Sequence, residues 1–135
     1  KVTTAPASTF LDAAVKEKKQ IPEKPKIRMG GKYKASSFGR GQCVEYTAKR
    51  RNGVDFLGNG GEWLYNSKLA GYKTGNKPIP GAILVTSEGW VGHTAYVEKV
   101  NKDSFEVTEQ NYVGLGVVSR RTIKKNAPFI KGLVY

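Results

Sequence analysis

The sequence has only one cysteine, Cys43, and only one histidine, His93. A single cysteine excludes a disulfide bond within the chain, and the two residues are too few for a four-ligand zinc site unless carboxylates complete it. No run of about 18 apolar residues is present, which excludes a membrane-spanning helix. The first residues lack the apolar segment of a signal peptide, and the chain does not begin with methionine. We therefore expect a mature form or an excised domain.

Acidic residues are also scarce, because 11 Asp and Glu stand against 23 Lys and Arg, which gives a formal net charge of +12. A positive electrostatic field favours encounter with polyanions such as nucleic acid, anionic lipid or the anionic polymers of bacterial envelopes. The alternative interpretation is that the charge only keeps the protein soluble. No zinc-finger, helix-turn-helix or RNP-like pattern occurs, so we expect no nucleic acid partner. A basic binding module without catalytic activity remains an open alternative.

The periodicity of the chain changes from helical to extended near residue 81. Residues 1–27, with their lysines, prolines and a short predicted helix at 10–19, are interpreted as a basic N-terminal arm or linker, and residues 28–135 as the domain. Helices are predicted at 42–51 and 62–70, and strands at 82–86, 92–100, 104–110, 117–123 and 129–135. Helices followed by a meander of strands predict an α+β fold with an antiparallel sheet of five or six strands.

Cys43 lies at the start of the first predicted helix, in the segment FGRGQCVEY at 38–46. The free backbone N–H groups and the positive dipole end of a helix favour a thiolate over a thiol. A cysteine in this place can act as a nucleophile if a base lies nearby. A buried structural cysteine is the alternative.

His93 is the one candidate for that base. Strand alternation places His93, Ala95 and Val97 on one face of the second strand, and Glu109 and Asn111 on one face of the third. Neighbouring strands are about 4.8 Å apart, so a carboxylate or amide on one strand can bind an imidazole on the next. The pattern is that of a nucleophile, a base and a polar residue that fixes the base.

Five segments of the chain, in this order, resemble the CHAP family of cysteine, histidine-dependent amidohydrolases and peptidases: GQCVEY at 41–46, GNGGEW at 58–63, PGAILV at 80–85, GHTAYVEKV at 92–100 and EQNY at 109–112. The resemblance runs from about residue 33 to the C-terminus. It implies a papain-like α+β scaffold with N-terminal helices packed on the C-terminal sheet.

The resemblance also implies roles for individual residues. Cys43 would be the nucleophile, His93 the base, and Glu109 with Asn111 the polar residues around the imidazole. Gln42 and the backbone N–H of Cys43 would form the oxyanion hole. Residues expected along a substrate groove are Glu45, Trp63, Trp90 and Tyr112. The loop KYKASSFGRG before Cys43 contains no carboxylate, so we expect no calcium site there, and no metal or other cofactor.

The implied activity is peptidoglycan hydrolysis, at an amide bond of the peptide stem or the cross-bridge. An endopeptidase and an N-acetylmuramoyl-L-alanine amidase both remain open, as does a toxin used between bacteria. The expected partners are peptidoglycan and, through the basic surface, anionic wall polymers. We expect a monomer that is secreted, associated with the cell wall or carried by a phage.

Overall fold

The computed structural model of the protein describes residues 24–135. The predicted helix at 10–19 and most of the predicted arm lie outside the described residues. In the described part of the arm, Ile27 packs against the core of the domain. The boundary between arm and domain at residue 27 stays a prediction.

The described chain contains two α-helices and six strands, which confirms the predicted α+β fold. The helices are α1 (Cys43–Arg50) and α2 (Trp63–Leu69), and short 3-10 helices at Ala35–Ser37 and Gly60–Glu62 precede them. The strands are β1 (Thr74–Gly75), β2 (Ile83–Thr86), β3 (His93–Val100), β4 (Ser104–Gln110), β5 (Val118–Lys124) and β6 (Ile130–Val134). Strand β1 lies in a segment for which the sequence predicted no strand, and the other five strands of the described chain were predicted. None of the described helices is long and apolar enough to cross a membrane.

The strands form one antiparallel sheet in the order β1-β6-β2-β3-β4-β5. Strands β2 to β5 form the predicted meander, whereas β6 returns to pair with β2 and β1. In the register of the central pair, Ile83 lies opposite Tyr96 and Thr86 lies opposite His93. His93 therefore begins β3 at one end of the sheet, close to the end of β4.

Apolar residues fill both faces of the sheet, as strand alternation requires. One core packs the helices on the sheet and contains Ala48, Trp63, Ile83, Val85 and Val134, among others. The opposite face forms a second core with Leu84, Ala95, Val97, Phe105 and Val107, among others. On β3, Ala95 and Val97 lie in this second core on one side of the strand, and His93 is the first residue of the strand.

Three sets of hydrogen bonds hold α1 against the sheet. At its start Gln110 Nε2 donates to Gln42 O at 2.7 Å, and in its middle Thr47 Oγ1 lies 3.0 Å from Thr94 Oγ1. At its end the buried guanidinium of Arg51 donates to the carbonyls of Arg28, Gly81, Val134 and Tyr135. Burial lowers the pKa of Arg51 to about 10. These contacts fix the position of the first residue of α1, which is Cys43.

Candidate active site

The turn before α1 depends on Glu45. Gly41 takes a positive φ of 82°, and its N–H donates to Glu45 Oε1 at 2.8 Å. Gln110 Nε2 donates to the same oxygen at 3.0 Å. The Gly41 N–H, followed by the Gln110 amide, lowers the pKa of Glu45. The expectation that Glu45 lines a substrate groove is wrong, because its carboxylate closes the turn and ties α1 to β4.

Cys43 is the first residue of α1, and it is buried with 8% of its surface exposed. Burial raises the pKa of the thiol, but the hydrogen bond and charge of His93 and two donors of Thr94 outweigh it, so the net shift is downward. Thr94 is in turn held by Thr47, whose hydroxyl donates to Cys43 O at 2.9 Å. The sulfur therefore lies in an environment that stabilises the thiolate.

The His93 ring is buried between Cys43 and Glu109. Nε2 lies 2.9 Å from Glu109 Oε1, which leaves Nδ1 as the nitrogen for Cys43. Burial lowers the pKa of His93, but the hydrogen bonds to Cys43 and Glu109 prevail and raise it to about 9. A lowered thiol pKa beside a raised imidazole pKa favours the thiolate and imidazolium form of the pair over the thiol and neutral imidazole form.

Glu109 is fully buried and has a second partner that the sequence analysis did not identify. Arg121 on β5 donates to Glu109 Oε2 at 3.0 Å and to Oε1 at 2.8 Å. Arg121 also binds Glu88, in the loop after β2. The sequence did contain a signal for the buried position of Arg121, because strand alternation places it on the same face of β5 as the buried Ile123. A charged residue at such a position requires a buried partner.

Asn111 forms no hydrogen bond with His93 and instead supports Gln42. Its φ of 66° ends the extended conformation after Gln110, so strand alternation no longer governs where its side chain points. Asn111 Nδ2 donates to Gln42 Oε1 at 3.3 Å. Of the two predicted partners of the imidazole, the structure therefore brings only Glu109 to the ring. The exposed Gln42 side chain lies beside Cys43, with its amide nitrogen left for other acceptors.

Two cavities flank the thiol and share Gln42, Cys43 and Val91 in their linings, and we refer to them together as the groove. The first, of about 600 Å³, is lined by Phe38, Gln42, Cys43, Gly58 and Val91, among others. The second, of about 370 Å³, is lined by Cys43, Trp90, His93, Asn111 and Tyr112, among others. Trp90 is fully exposed on the rim, and the Tyr112 ring lies 6.0 Å from the His93 ring. Of the four residues expected along the groove, Trp90 and Tyr112 line it.

Trp63 does not line the groove, so that prediction is wrong. The indole is fully buried, packs edge-on against Phe56 with ring centroids 4.9 Å apart, and lies 5.4 Å from the Phe38 ring. Its Nε1 donates to Gly58 O at 2.9 Å. Because Phe38 and Gly58 line the first cavity, Trp63 shapes the groove from beneath and is hidden from any ligand in it.

Glycines allow the loop before α2 to press against the start of β3. A Cβ on Gly60 would lie 2.9 Å from His93 Cα, and a Cβ on Gly92 would lie 2.3 Å from Gly61 Cα. Gly61 N–H donates to Val91 O at 2.8 Å. The glycine-rich segment at 58–61 therefore fixes the backbone that carries the imidazole. Within residues 24–135, no group of three or more His, Cys, Asp or Glu side chains is placed to hold a metal ion.

The chain is similar to known proteins over most of its described length. A sequence model of the CHAP domain matches residues 32–111. The staphylococcal secretory antigen SsaA of Staphylococcus aureus is 43% identical over 90 residues, covering 64% of this chain and 35% of the relative. SsaA of Staphylococcus epidermidis is 46% identical over 87 residues, covering 62% of this chain and 34% of the relative. The chain thus spans about a third of the length of these relatives.

Two solved structures resemble the fold. A crystal structure of an N-acetylmuramoyl-L-alanine amidase from Staphylococcus aureus superposes with a TM-score of 0.63 at 27% identity, covering 90% of this chain and 39% of that chain. The crystal structure of Ly7917 gives a TM-score of 0.53 at 18% identity, covering 80% of this chain and 57% of that chain. The second likeness concerns the fold alone.

Proposed function

Because the chain belongs to the CHAP domain family, whose model covers residues 32–111, we propose that it hydrolyses an amide bond of peptidoglycan by a thiol mechanism. The observation that carries the proposal is the linked set of Cys43, His93 and Glu109 at the centre of a groove that is open on both sides of the thiol. The amidase of similar fold supports the same class of substrate.

The first half of the reaction is acyl transfer to Cys43. The thiolate attacks the amide carbonyl carbon, so that a carbon–sulfur bond forms and the carbonyl oxygen becomes an oxyanion. When the tetrahedral intermediate collapses, the carbon–nitrogen bond breaks and the amine leaves with the proton of the His93 imidazolium. The enzyme is then a thioester beside a neutral imidazole.

The second half of the reaction is hydrolysis of the thioester. Neutral His93 removes a proton from water, whose oxygen attacks the thioester carbon. The carbon–sulfur bond then breaks, which releases the acid and restores the thiolate and imidazolium pair. Glu109 holds the ring through Nε2 in both halves, so that Nδ1 stays directed at the reacting atoms.

The oxyanion has two candidate donors beside the thiol. The backbone N–H of Cys43 has no intrahelical acceptor, because it is the first residue of α1. The amide nitrogen of Gln42 is the second donor, and Asn111 holds the oxygen of the same amide. A donor of this kind is worth about 3 kcal/mol in the transition state. Asn111 is therefore proposed to act through Gln42.

Replacing the nucleophile or the base tests the mechanism. We expect Cys43→Ala and His93→Ala each to abolish release of soluble fragments from purified cell walls while the circular dichroism spectrum stays unchanged. Ser104→Ala, at the opposite end of β4 from Glu109, is the control and should remain active. Lysis retained by both site variants would refute the thiol mechanism. Mass spectrometry of the released fragments would separate an endopeptidase from an N-acetylmuramoyl-L-alanine amidase.

A basic cavity remote from Cys43 supports binding of an anionic wall polymer as an additional function. It has a volume of about 650 Å³, and its lining includes Lys24, Lys26, Arg28 and Lys73. Arg28 is partly neutralised, because it donates to Asp55 Oδ2 at 2.7 Å. The three lysines are exposed, and they contribute to the net charge of +12. Phosphate groups of a wall polymer suit such a site.

A charge-matched comparison tests this second function. Changing Lys24, Lys26 and Lys73 to glutamine should weaken salt-sensitive binding to teichoic acid. The control changes Lys99, Lys102 and Lys125, which removes the same charge elsewhere on the surface. Equal losses in the two triple variants would show that the net charge acts without a site. If the wild-type protein binds the polymer but releases no wall fragments, the non-catalytic binding module is the better description.

The place of action follows from the substrate. Both relatives are named secretory antigens, and we propose that this chain also acts outside the cell, secreted or associated with the wall. All the residues of the proposed machinery come from one chain, so we propose an active monomer. Light scattering coupled to gel filtration at working concentration would test that state, and lysis of walls by externally added protein would test access to the substrate.

A further inference from the structure

Arg121 occupies an unusual place for a charged side chain. It extends from β5 with only 16% of its side chain exposed, and its guanidinium lies 3.8 Å from the centre of the Tyr112 ring and 5.6 Å from that of Phe129. Aromatic rings on two sides restrict the guanidinium to one orientation. The neighbouring Arg120, in contrast, is exposed and binds the surface residue Glu106.

The fork of Arg121 joins two carboxylates. Nε and Nη2 donate to the two oxygens of Glu109 at 3.0 and 2.8 Å, and Nη1 and Nη2 donate to the two oxygens of Glu88 at 2.7 and 3.0 Å. Glu88 is itself fixed by Thr86 Oγ1 at 2.9 Å. A guanidinium makes four such bonds in one plane, whereas an ammonium group cannot match that geometry.

Arg121 is the guanidinium that contacts both carboxylates near the imidazole. Cys43 faces His93 from α1, Glu109 faces it from β4, and Glu88 lies in the loop after β2, so three groups that can carry negative charge lie around the ring. Protonated His93 and Arg121 supply the two positive charges. Tyr112 is the remaining titratable group beside the ring. Removing Arg121 would leave a fully buried carboxylate with the imidazolium as its one cation, which favours uptake of a proton by the cluster.

We propose that Arg121 is a positioning residue for the site, which holds the carboxylate of Glu109 in the orientation that directs His93 Nδ1 towards Cys43. Arg121 touches neither the thiol nor the groove side of the ring, so its effect passes through Glu109. The inference rests on the proposed thiol mechanism. It adds a residue of β5 to the site, beyond the segment 32–111 that the family model covers.

The lone cysteine provides a test that needs no substrate. The rate at which iodoacetamide alkylates the protein reports the thiolate of Cys43 alone, so its dependence on pH gives the midpoint of thiolate formation. We expect Arg121→Gln to raise this midpoint by about one pH unit and to lower wall hydrolysis at pH 7 by about tenfold or more. Arg120→Gln removes the same charge from the adjacent position and should change neither measurement.

A conservative variant covers the case in which Arg121→Gln fails to fold. Arg121→Lys keeps the charge but cannot bind both carboxylates through both of their oxygens, so we expect a smaller rise in the midpoint and a clear loss of hydrolysis. A folded Arg121 variant with the wild-type midpoint and the wild-type rate would overturn the proposal. A wild-type protein with a depressed midpoint but no wall hydrolysis would instead refute the proposed function and leave the role of Arg121 standing.

Discussion

Replacing Glu109 with glutamine keeps the shape of the side chain but removes the negative charge beside His93. The pKa of His93 is raised to about 9 from its ordinary value near 6.5, because its bonds to Cys43 and Glu109 outweigh burial. The difference corresponds to roughly 3 kcal/mol in favour of the imidazolium, at about 1.4 kcal/mol per pH unit. Cys43 and Glu109 both contribute to this stabilisation of the imidazolium. We therefore expect Glu109→Gln to lower the pKa of His93 by about one unit.

The consequence for activity has a definite sign. The thiolate and imidazolium pair exists above the lowered pKa of Cys43 and below the pKa of His93, so wall hydrolysis should decline as the pH rises through about 9. In Glu109→Gln this decline should begin about one unit lower. The rate at pH 7 should also fall by roughly tenfold, since a charged hydrogen bond of about 1.5–3 kcal/mol is lost.

The assay uses the fact that the chain has one histidine. In protein prepared without a histidine tag, NMR titration of the imidazole signals gives the pKa of His93 directly. Glu106→Gln is the matched control, because Glu106 lies on the same strand but binds the exposed Arg120. A folded Glu109→Gln protein whose His93 still titrates near 9 would refute the reasoning, since the carboxylate would then contribute nothing to the imidazolium.

Three further predictions concern the surroundings of the site. Gly92→Ala should lower wall hydrolysis by tenfold or more, because its Cβ would lie 2.3 Å from Gly61 Cα and displace the start of β3; unchanged activity would contradict this. Trp63→Ala should reduce the free energy of unfolding by about 3–5 kcal/mol in urea titrations, and a loss below about 1 kcal/mol would contradict its place in the core. Trp90→Ala should change stability by less than about 0.5 kcal/mol but raise the KM for wall fragments, and an unchanged KM would remove Trp90 from the groove.

Most of the fold could be predicted because its elements are strongly patterned. Alternating apolar residues and tight turns identified β2 to β6 within one or two residues, and helical spacing with glycine stops identified α1 and α2. The pairing of β6 with β2 was not predictable in this way, because local pattern does not specify which distant strand completes a sheet. Strand β1 has two residues, too few for any periodic signal.

Three residues have places in the structure that differ from those that sequence reasoning gave them. Trp63 was assigned to the groove and Glu45 to substrate contact, yet one is a core residue and the other closes the turn before α1. Asn111 was assigned to the imidazole but binds Gln42, because a positive φ interrupts the alternation at that residue. Glu45 and Asn111 also bind residues far along the chain, Gln110 and Gln42 respectively, which only the folded structure brings near.

The sequence by itself determined which residues are available for the proposed chemistry. The chain has one cysteine, at a predicted helix start, and one histidine, at a predicted strand start. The proposed nucleophile and the proposed base therefore had no competitors. The tertiary structure decided the electrostatics. Arg121 and Glu88 lie 33 residues apart in the chain, yet they form an ion pair in the fold. The same Arg121 binds the buried Glu109, and no local pattern in the sequence reveals this arrangement of charges. Residue types and periodicity are local properties, whereas the ionisation of a buried group depends on every charge that folding places around it.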